Sequence, residues 1–238
     1  MSSHAYSQIN KKVPNARMIT MGSNGVHWSA LAAAAPGSVV YNELVSWATT
    51  LKTRPGPIFL TIGHEPESKS YTAYGTSAQY VLAFRHVVNI FRSLGVTNVQ
   101  WTWQMTSYAF VVGSSDSRYA LKWYPGDTYV DDVAADAYNW SDCRGGPWEE
   151  LSQAETPALQ FARAHGKGAI LGEFGSGPGP KRAQWLKNAE AFLVANANTF
   201  RAAYYFDVPN ATACNWQITS SSDVAALSSI IKDPHFTL

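Results

Sequence analysis

Two glutamates stand at the ends of two apolar, strand-like runs, where carboxyl groups can act as acid, base or nucleophile. Glu65 comes shortly after the run Phe59–Ile62, and Glu173 follows Ala169–Leu171 after one glycine, 173 − 65 = 108 residues later. If strands and helices alternate along the chain, both carboxyl groups lie on the same rim of a parallel barrel. Such a pair can cleave a glycosidic bond with retention of configuration: one carboxylic acid protonates the leaving oxygen and one carboxylate attacks the sugar.

Hydrophobic periodicity divides most of the chain into alternating strands and helices. The predicted strands are Arg17–Gly22, Pro57–Ile62, Asn98–Met105, Tyr129–Ala137, Gly168–Glu173 and Arg201–Asp207. The predicted helices are Val39–Lys52, Thr76–Leu94, Trp148–His165, Lys181–Ala197 and Asp223–Ile231. Strands that are separated by helices pair in parallel through right-handed crossovers, and continuously apolar strands indicate a sheet that is buried on both faces.

These elements predict a single α/β domain over residues 1–238, of the (β/α)8 TIM-barrel type. A closed barrel of this type needs eight βα units, whereas the sequence supplies six. The sixteen residues before the first predicted strand are too polar to supply two buried strands. We therefore expect an incomplete barrel with two open sheet edges, through which copies of the chain can self-associate.

Composition argues against several classes of function. The formal net charge is +1 and no basic stripe is visible, so nothing predicts nucleic-acid binding. No apolar run approaches the length of about eighteen residues that a membrane helix needs, and the polar segment Met1–Lys12 is not a signal peptide. Cys143 and Cys214 follow strand candidates, and both unrelated thiols and a disulfide remain open. Trp148 and Trp216 lie near these cysteines, where they either floor distal sugar subsites or cover a disulfide.

Motifs for metals, phosphates and serine nucleophiles are absent from the sequence. His64-Glu65 lacks the second histidine of the zinc-binding pattern His-Glu-x-x-His. The loop Gly175–Lys181 looks like a phosphate loop, but Pro180 replaces the glycine before the lysine, and prolines remove amide donors. No Gly-x-Ser-x-Gly nucleophile elbow occurs. We therefore expect neither a metal nor an organic cofactor.

Several residues near the strand ends are candidates for sugar binding, because apolar pyranose faces stack on flat aromatic rings. Trp101 and Trp103 share one face of their strand, and core packing is the equal alternative for Trp103. Asp136 and Tyr138 share one face of the following strand, and Tyr138 is nearer the rim. Tyr205, in the last predicted strand, is a further candidate for contact with the substrate.

The whole pattern resembles the clan of (β/α)8 retaining glycoside hydrolases and, within it, glycoside hydrolase family 26, the β-mannanase-like group. The matching segments are His64–Glu67, Trp123–Asp127 with Tyr129–Asp131, Asp136–Asn139 and Gly172–Gly175. In this clan the acid/base ends strand four and the nucleophile ends strand seven. The first strand of this chain then corresponds to strand three of the clan, and strands three to eight are present in order.

The resemblance implies roles for individual residues. Glu65 is implied to be the acid/base, and Glu173 the nucleophile. His64, just before the acid/base, is implied to shape the subsite that holds the reacting sugar. Tyr138 is implied to donate a hydrogen bond to the nucleophile.

In the clan's numbering, Cys143 and Cys214 lie on the loops after strands six and eight, which share a rim, so the resemblance also implies a disulfide. We therefore predict a retaining endo-β-glycosidase that hydrolyses a β-linked polysaccharide, with β-mannan as the first candidate. The expected distance between the carboxyl groups of Glu65 and Glu173 is roughly 5 to 5.5 Å. We expect a secreted protein, although the chain shows no signal peptide. The alternative is a non-catalytic carbohydrate-binding protein on a truncated glycosidase scaffold.

Overall fold

The computed structural model describes residues 17–22, 25–211 and 213–235, and for residues 70–72 it describes the backbone alone. By their contacts, these residues form two compact units. The first unit combines the described chain up to Met105 with Val112–Asp132. The second unit combines Thr106–Val111 with the described chain from Val133 onward.

All six predicted strands and all five predicted helices are present, with bounds that shift by a few residues. The strands are β1 Met18–Met21, β2 Ile58–Ile62, β3 Val99–Thr106, β4 Asp132–Asn139, β5 Gly168–Ser176 and β6 Phe200–Tyr205. The α-helices are α1 Trp28–Ala32, α2 Val39–Lys52, α3 Ser77–Ser93, α4 Ser141–Arg144, α5 Leu151–Ala164, α6 Arg182–Ala195 and α7 Ser221–Lys232. Short 3₁₀ segments lie at Lys69–Tyr74, Ser107–Phe110 and Ala120–Lys122. The sequence did not predict α1, α4 or these segments, because they are too short to show a period.

In the first unit, β2 lies between β1 and β3, and both pairings are parallel. Leu60 is in register with Ile19 on one side and with Trp101 on the other. All three side chains are buried. This burial agrees with the continuously apolar sequence of the strands, which predicts a sheet that is covered on both faces.

Helix α3 covers β3 in the first unit. The helix begins with a capping box, in which Thr76 and Gln79 each bond the backbone N–H of the other. Phe84 and Phe91 of α3 contact the ring of Trp101 edge-to-face, with centroid distances of 6.1 and 5.1 Å. The face of β3 that carries Trp101 therefore packs against a helix.

In the second unit, β5 lies between β4 and β6, and β5 and β6 are parallel. Ala169 is in register with Phe200 and Phe174 with Tyr205, but the register shifts between Leu171 and Phe174. The two residues inside this irregularity are Gly172 and Glu173. Irregular pairing of this kind often re-aims a side chain beside a functional site.

Strand β6 is the least buried of the three strands in the second unit, because only Phe200 among its residues is buried. Among the described residues of this unit, β6 pairs with β5 alone. Self-association through open sheet edges stays a prediction, and light scattering would test it. None of the helices in the described part of the chain is long and apolar enough to cross a membrane.

The predicted bounds of β4 were wrong by several residues. The predicted strand began at Tyr129, whereas the observed strand begins at Asp132 and continues to Asn139. The physical reason is a turn, in which the Tyr129 N–H donates to the carbonyl oxygen of Gly126 at 2.9 Å. The shift matters because it places Tyr138 inside the strand rather than beyond its end.

Candidate active site

Glu173, the predicted nucleophile, lies in β5 within the second unit and is half-buried. Its Oε2 accepts a hydrogen bond from the Tyr138 hydroxyl at 2.5 Å. The bond that the resemblance implied is therefore present. Short bonds from a hydroxyl to a carboxylate are among the stronger hydrogen bonds in proteins. Because one oxygen is held in this way, the orientation of the whole carboxylate is restricted.

Aromatic rings surround the Tyr138–Glu173 pair in the second unit. The Tyr138 ring lies 5.4 Å from Trp140, 5.9 Å from Phe206 and 4.7 Å from Trp216, measured between centroids. A Cβ added to Gly175 would lie 3.0 Å from the Trp216 ring and 3.4 Å from Tyr138. The glycine therefore lets both rings pack closely against the backbone of β5.

Trp140 is a candidate substrate contact that the sequence reasoning missed. It is half-buried, and the guanidinium carbon of Arg144 lies 3.6 Å from the centroid of its ring. The alternation of side chains could have revealed it, because Trp140 follows Tyr138 by two residues at the end of β4. Trp216, by contrast, is fully buried, which favours the packing alternative for this residue. Trp148 is half-buried, and its indole N–H donates to Glu150.

Cys143 and Cys214 form a disulfide, which confirms the predicted pairing. Their Cα atoms lie 5.3 Å apart, and the bond closes a separation of 71 residues. The bond joins α4, just after β4, to the segment after β6. A Cβ added to Gly177 would lie 2.7 Å from the Cys143 sulfur, so the disulfide lies against the segment that follows β5.

The other predicted substrate-binding residues of the second unit are largely enclosed by protein. Tyr205 donates its hydroxyl proton to the carbonyl oxygen of Trp216 at 3.0 Å, and its ring contacts Phe174. Burial of this hydroxyl raises the pKa of Tyr205 to about 12. Asp136 is buried, with 3% of its surface exposed. Contact of either residue with a substrate stays a prediction.

Glu65, the predicted acid/base, lies in the first unit and is half-buried. It does not end the strand directly, as the sequence suggested, because β2 ends at Ile62 and Glu65 lies in the bend beyond it. The φ angle of Glu65 is 49°, in the left-handed region that few non-glycine residues adopt. Its N–H donates to the carbonyl oxygen of Gln104 at 3.1 Å, and its own carbonyl oxygen accepts from Ser68 at 2.9 Å. These two bonds hold the unusual conformation.

The bend before Glu65 depends on a glycine. Gly63 has a φ of 58°, and a Cβ at this position would lie 2.6 Å from the ring of Trp28. Its N–H donates to the carbonyl oxygen of Met21 at 2.9 Å. The chain therefore leaves β2 through a position where a larger residue would meet a buried tryptophan. His64, between Gly63 and Glu65, is half-buried.

Trp103, another predicted sugar platform, is fully buried in the first unit. Its ring contacts Tyr124 edge-to-face, with the centroids 4.9 Å apart. The side chain of Trp101, on the same face of β3, packs against helix α3. These contacts favour the core-packing alternative for Trp103. The hydroxyl of Tyr124 donates to Asp127 at 2.8 Å, and burial raises the pKa of Tyr124 strongly.

The described residues contain no group of three or more His, Cys, Asp or Glu side chains that could hold a metal ion. The candidate chemistry rests on the carboxyl groups, the tyrosine and the aromatic rings described above. The two carboxyl residues share one feature within their own units. Glu65 lies just beyond the carboxyl-terminal end of β2 and Glu173 lies in the carboxyl-terminal half of β5, and parallel α/β folds place their functional residues at this end of the strands.

Comparisons with known proteins show which proteins this chain is similar to. A sequence model of glycosyl hydrolase family 26 matches residues 38–174, which is more than half of the chain and includes both glutamates. Endoglucanase H of Acetivibrio thermocellus is 35% identical over 154 residues, which make up 63% of this chain and 16% of that protein. The chain thus spans only a small part of the length of this curated relative.

Solved structures show the same fold at low sequence identity. The GH26 beta-mannanase of Bacteroides ovatus superposes with a TM-score of 0.61 at 15% identity, covering 99% of this chain and 74% of that one. An endo-beta-1,4-glucanase of Xanthomonas axonopodis superposes with a TM-score of 0.66 at 12% identity, covering 97% and 79%. The architecture is that of an incomplete (β/α)8 barrel. On the match to the family model, this chain belongs to glycosyl hydrolase family 26.

Proposed function

We propose that this protein is a retaining endo-β-glycosidase that hydrolyses a β-linked polysaccharide, with β-mannan as the first candidate substrate. The observation that carries the proposal is the hydrogen bond from Tyr138 to Glu173, on a strand of a family 26 hydrolase and among aromatic rings. A carboxylate that is held by a tyrosine and flanked by flat rings suits nucleophilic attack on a sugar.

In this proposal the two carboxylate oxygens of Glu173 have different roles. Oε2 accepts the hydrogen bond from the Tyr138 hydroxyl, and Oε1 forms the bond with the anomeric carbon. As that bond forms, the bond from the anomeric carbon to the leaving oxygen breaks, and the leaving oxygen takes a proton from Glu65. In the second step a water molecule attacks the anomeric carbon, gives its proton to Glu65 and releases Glu173.

The backbone around Glu65 supports its part in this scheme. A left-handed φ at a glutamate costs free energy, and such conformations are concentrated at functional sites. The bonds to Gln104 and Ser68 fix the backbone from which the carboxyl group extends. The mechanism requires the two carboxyl groups to lie roughly 5 to 5.5 Å apart, which a crystal structure of a glycosyl-enzyme intermediate would measure.

Sugar binding is proposed for the aromatic and polar residues near these glutamates. Trp140 offers a half-buried ring beside Tyr138, where a pyranose face can stack. His64 is proposed to shape the subsite of the reacting sugar. Asp136 and Tyr205 are proposed as further contacts, and they would act from partly enclosed positions. The disulfide suits an oxidising compartment and supports the proposal that the protein is secreted.

The test is an assay of the hydrolysis of purified polysaccharides, in which the release of reducing ends is measured. β-Mannan and β-glucan are the substrates to compare, because Endoglucanase H, the relative at 35% identity, bears the name of a glucanase. Proton NMR of the first products identifies the anomer that is released, and retention is the expected result. Inverted products, or no release above that of the Glu173→Ala variant from either polysaccharide, would contradict the proposal.

A further inference from the structure

Directly after Tyr138, a buried polar side chain joins the ends of two strands. Asn139, the last residue of β4, is fully buried. Its side-chain N–H donates to the hydroxyl oxygen of Ser176 at 3.1 Å, and Ser176 is the last residue of β5 and equally buried. The backbone carbonyl oxygen of Asn139 accepts a hydrogen bond from the N–H of Gly177 at 3.1 Å. The ends of β4 and β5 are therefore tied together twice at this residue.

The same amide also holds the segment that follows β4. The side-chain oxygen of Asn139 accepts the backbone N–H of Ser141 and that of Glu149, both at 3.3 Å. Trp140 directly precedes Ser141, and Cys143 lies between Ser141 and Glu149. One buried side chain thus uses its donor toward β5 and its acceptor toward this segment. An asparagine amide carries an N–H donor and a carbonyl acceptor, so it can make these bonds at the same time.

The position of Asn139 relative to the nucleophile gives these bonds a functional meaning. Tyr138 and Asn139 are neighbours in β4, so their side chains point to opposite faces of the strand. Tyr138 bonds Glu173 of β5, and Asn139 bonds Ser176 of the same strand. The separation of the two strands at this point is therefore fixed by one bond on each face. A change in that separation would lengthen the contact between Tyr138 and Glu173.

We propose that Asn139, through its buried hydrogen bond to Ser176, is a positioning residue that sets the contact between Tyr138 and Glu173. The proposal rests on the proposed function, because the contact matters for rate only if Glu173 is the nucleophile. Misplacement of a reacting group by about 1 Å can lower a rate about a hundredfold. Asn139 touches no substrate in this scheme and acts through the two strands.

The test compares kcat and KM of three variants with those of the wild type. Ser176→Ala removes the acceptor of the Asn139 amide and should lower kcat about tenfold, with KM changed by less than about twofold. Asn139→Ala removes all the side-chain bonds and should lower kcat about a hundredfold. Ser176→Thr keeps the hydroxyl and should stay within about threefold of the wild type. Asn139→Ala and Ser176→Ala should not be additive, because they remove one shared bond.

Asn98 supplies a control for the loss of a half-buried amide that donates two hydrogen bonds. Its side chain donates to the carbonyl oxygens of Leu51 and Arg54 at 2.9 and 2.7 Å, in the first unit. Asn98→Ala should lower the melting temperature without changing kcat. Circular dichroism of every variant shows whether it folds. If Asn139→Ala does not fold, the test uses Ser176→Ala, which is the milder change.

A second readout does not depend on turnover. A short hydrogen bond from Tyr138 to a carboxylate shifts its hydroxyl proton far downfield in the NMR spectrum, and Tyr138→Phe assigns the signal. Both Asn139→Ala and Ser176→Ala should move this signal upfield, whereas Asn98→Ala should not. An unchanged signal in the first two variants overturns the positioning role, whatever happens to kcat. A wild type that cleaves no polysaccharide, with variants that still move the signal, would instead refute the proposed function alone.

Discussion

The two glutamates proposed for catalysis are held in different ways within their units. In the first unit, Glu65 lies in a bend after β2, and backbone bonds to Gln104 and Ser68 hold it at a left-handed φ. In the second unit, Glu173 lies within β5, and the hydroxyl of Tyr138 holds its carboxylate directly. The bonds described for Glu65 act on its backbone, and the bond described for Glu173 acts on its carboxylate.

This difference matches the two proposed roles. A general acid must release a proton and later accept one, so its backbone must present the carboxyl group to the reacting sugar in both steps. A nucleophile must approach one carbon atom along one direction, so a fixed carboxylate is an advantage. Two further constraints lie near the nucleophile. The disulfide and the Asn139–Ser176 bond are both near the end of β5, the strand that carries Glu173.

Replacement of the nucleophile should have the largest effect on activity. We expect Glu173→Ala to lower kcat at least about a thousandfold, because no side chain remains to form the covalent intermediate. Added azide should then restore turnover and give a product of inverted configuration, since the small anion can occupy the vacated space. Circular dichroism should show an intact fold. Wild-type activity in this variant would remove Glu173 from the mechanism.

Replacement of the acid/base should have a smaller effect that depends on the leaving group. We expect Glu65→Ala to lower kcat/KM on a polysaccharide about a hundredfold to ten-thousandfold, as is typical for loss of general acid catalysis. On aryl glycosides that have acidic phenols as leaving groups, kcat/KM should fall far less, because the leaving oxygen needs little protonation. A plot of kcat/KM against the leaving-group acidity measures the difference. Equal losses on both substrate types would contradict the assigned role.

Loss of the disulfide should weaken the second unit more than the first. Closing a separation of 71 residues stabilises a protein by about 4 kcal/mol in the chain-entropy model, so replacing Cys143 and Cys214 by serine should lower the free energy of unfolding by about that amount. Urea unfolding measures the change. Hydrogen exchange should show faster exchange near β5 and β6 and unchanged exchange in β1 and β2. Uniformly faster exchange would contradict this localisation.

A smaller loss of stability should follow from filling the glycine position before Glu65. Gly63→Ala places a Cβ 2.6 Å from the Trp28 ring at a φ of 58°, and we expect a loss of about 2 to 4 kcal/mol from strain and overpacking together. Gly37→Ala is the matched control, because its φ of 89° is also left-handed but no atom lies within 4 Å of the added Cβ. It should lose only about 1 to 2 kcal/mol. Equal urea midpoints for the two variants would show that the Trp28 ring accommodates the added Cβ without further loss of stability.

The sequence predicted elements and pairs more reliably than it predicted local geometry. Six strands could be predicted because apolar periodicity leaves few alternatives, whereas the disulfide was predicted from the family resemblance, since the two cysteines alone left unrelated thiols open. The left-handed φ of Glu65 could not, because it depends on a carbonyl oxygen of β3, far away in the chain. Trp103 looked like a sugar platform, because alternation alone does not show which face of a strand meets a helix. Trp140 was missed since the observed end of β4 lies beyond the predicted one.

The second unit also contains an acid whose environment contrasts with that of Glu173. Glu155, in α5, is buried, and its Oε2 has no hydrogen-bond partner among the described residues. Burial raises the pKa of Glu155 well above its usual value of 4.5, because the charged form loses its solvation. The folded protein therefore keeps this proton at pH values where the unfolded chain has released it.

This buried acid predicts a pH dependence of stability with a definite sign. Between pH 4.5 and the folded pKa of Glu155, the folded state binds one more proton than the unfolded state, so this residue's contribution to the free energy of unfolding falls as pH rises. The slope is about 1.4 kcal/mol per pH unit within that window. Glu155→Gln cannot ionise, so its stability relative to the wild type should rise with pH from about pH 4.5 up to the folded pKa of Glu155, and below about pH 4 the difference should become constant. Urea unfolding at each pH measures both curves. Parallel curves across the whole range would show that Glu155 titrates alike in the folded and unfolded states.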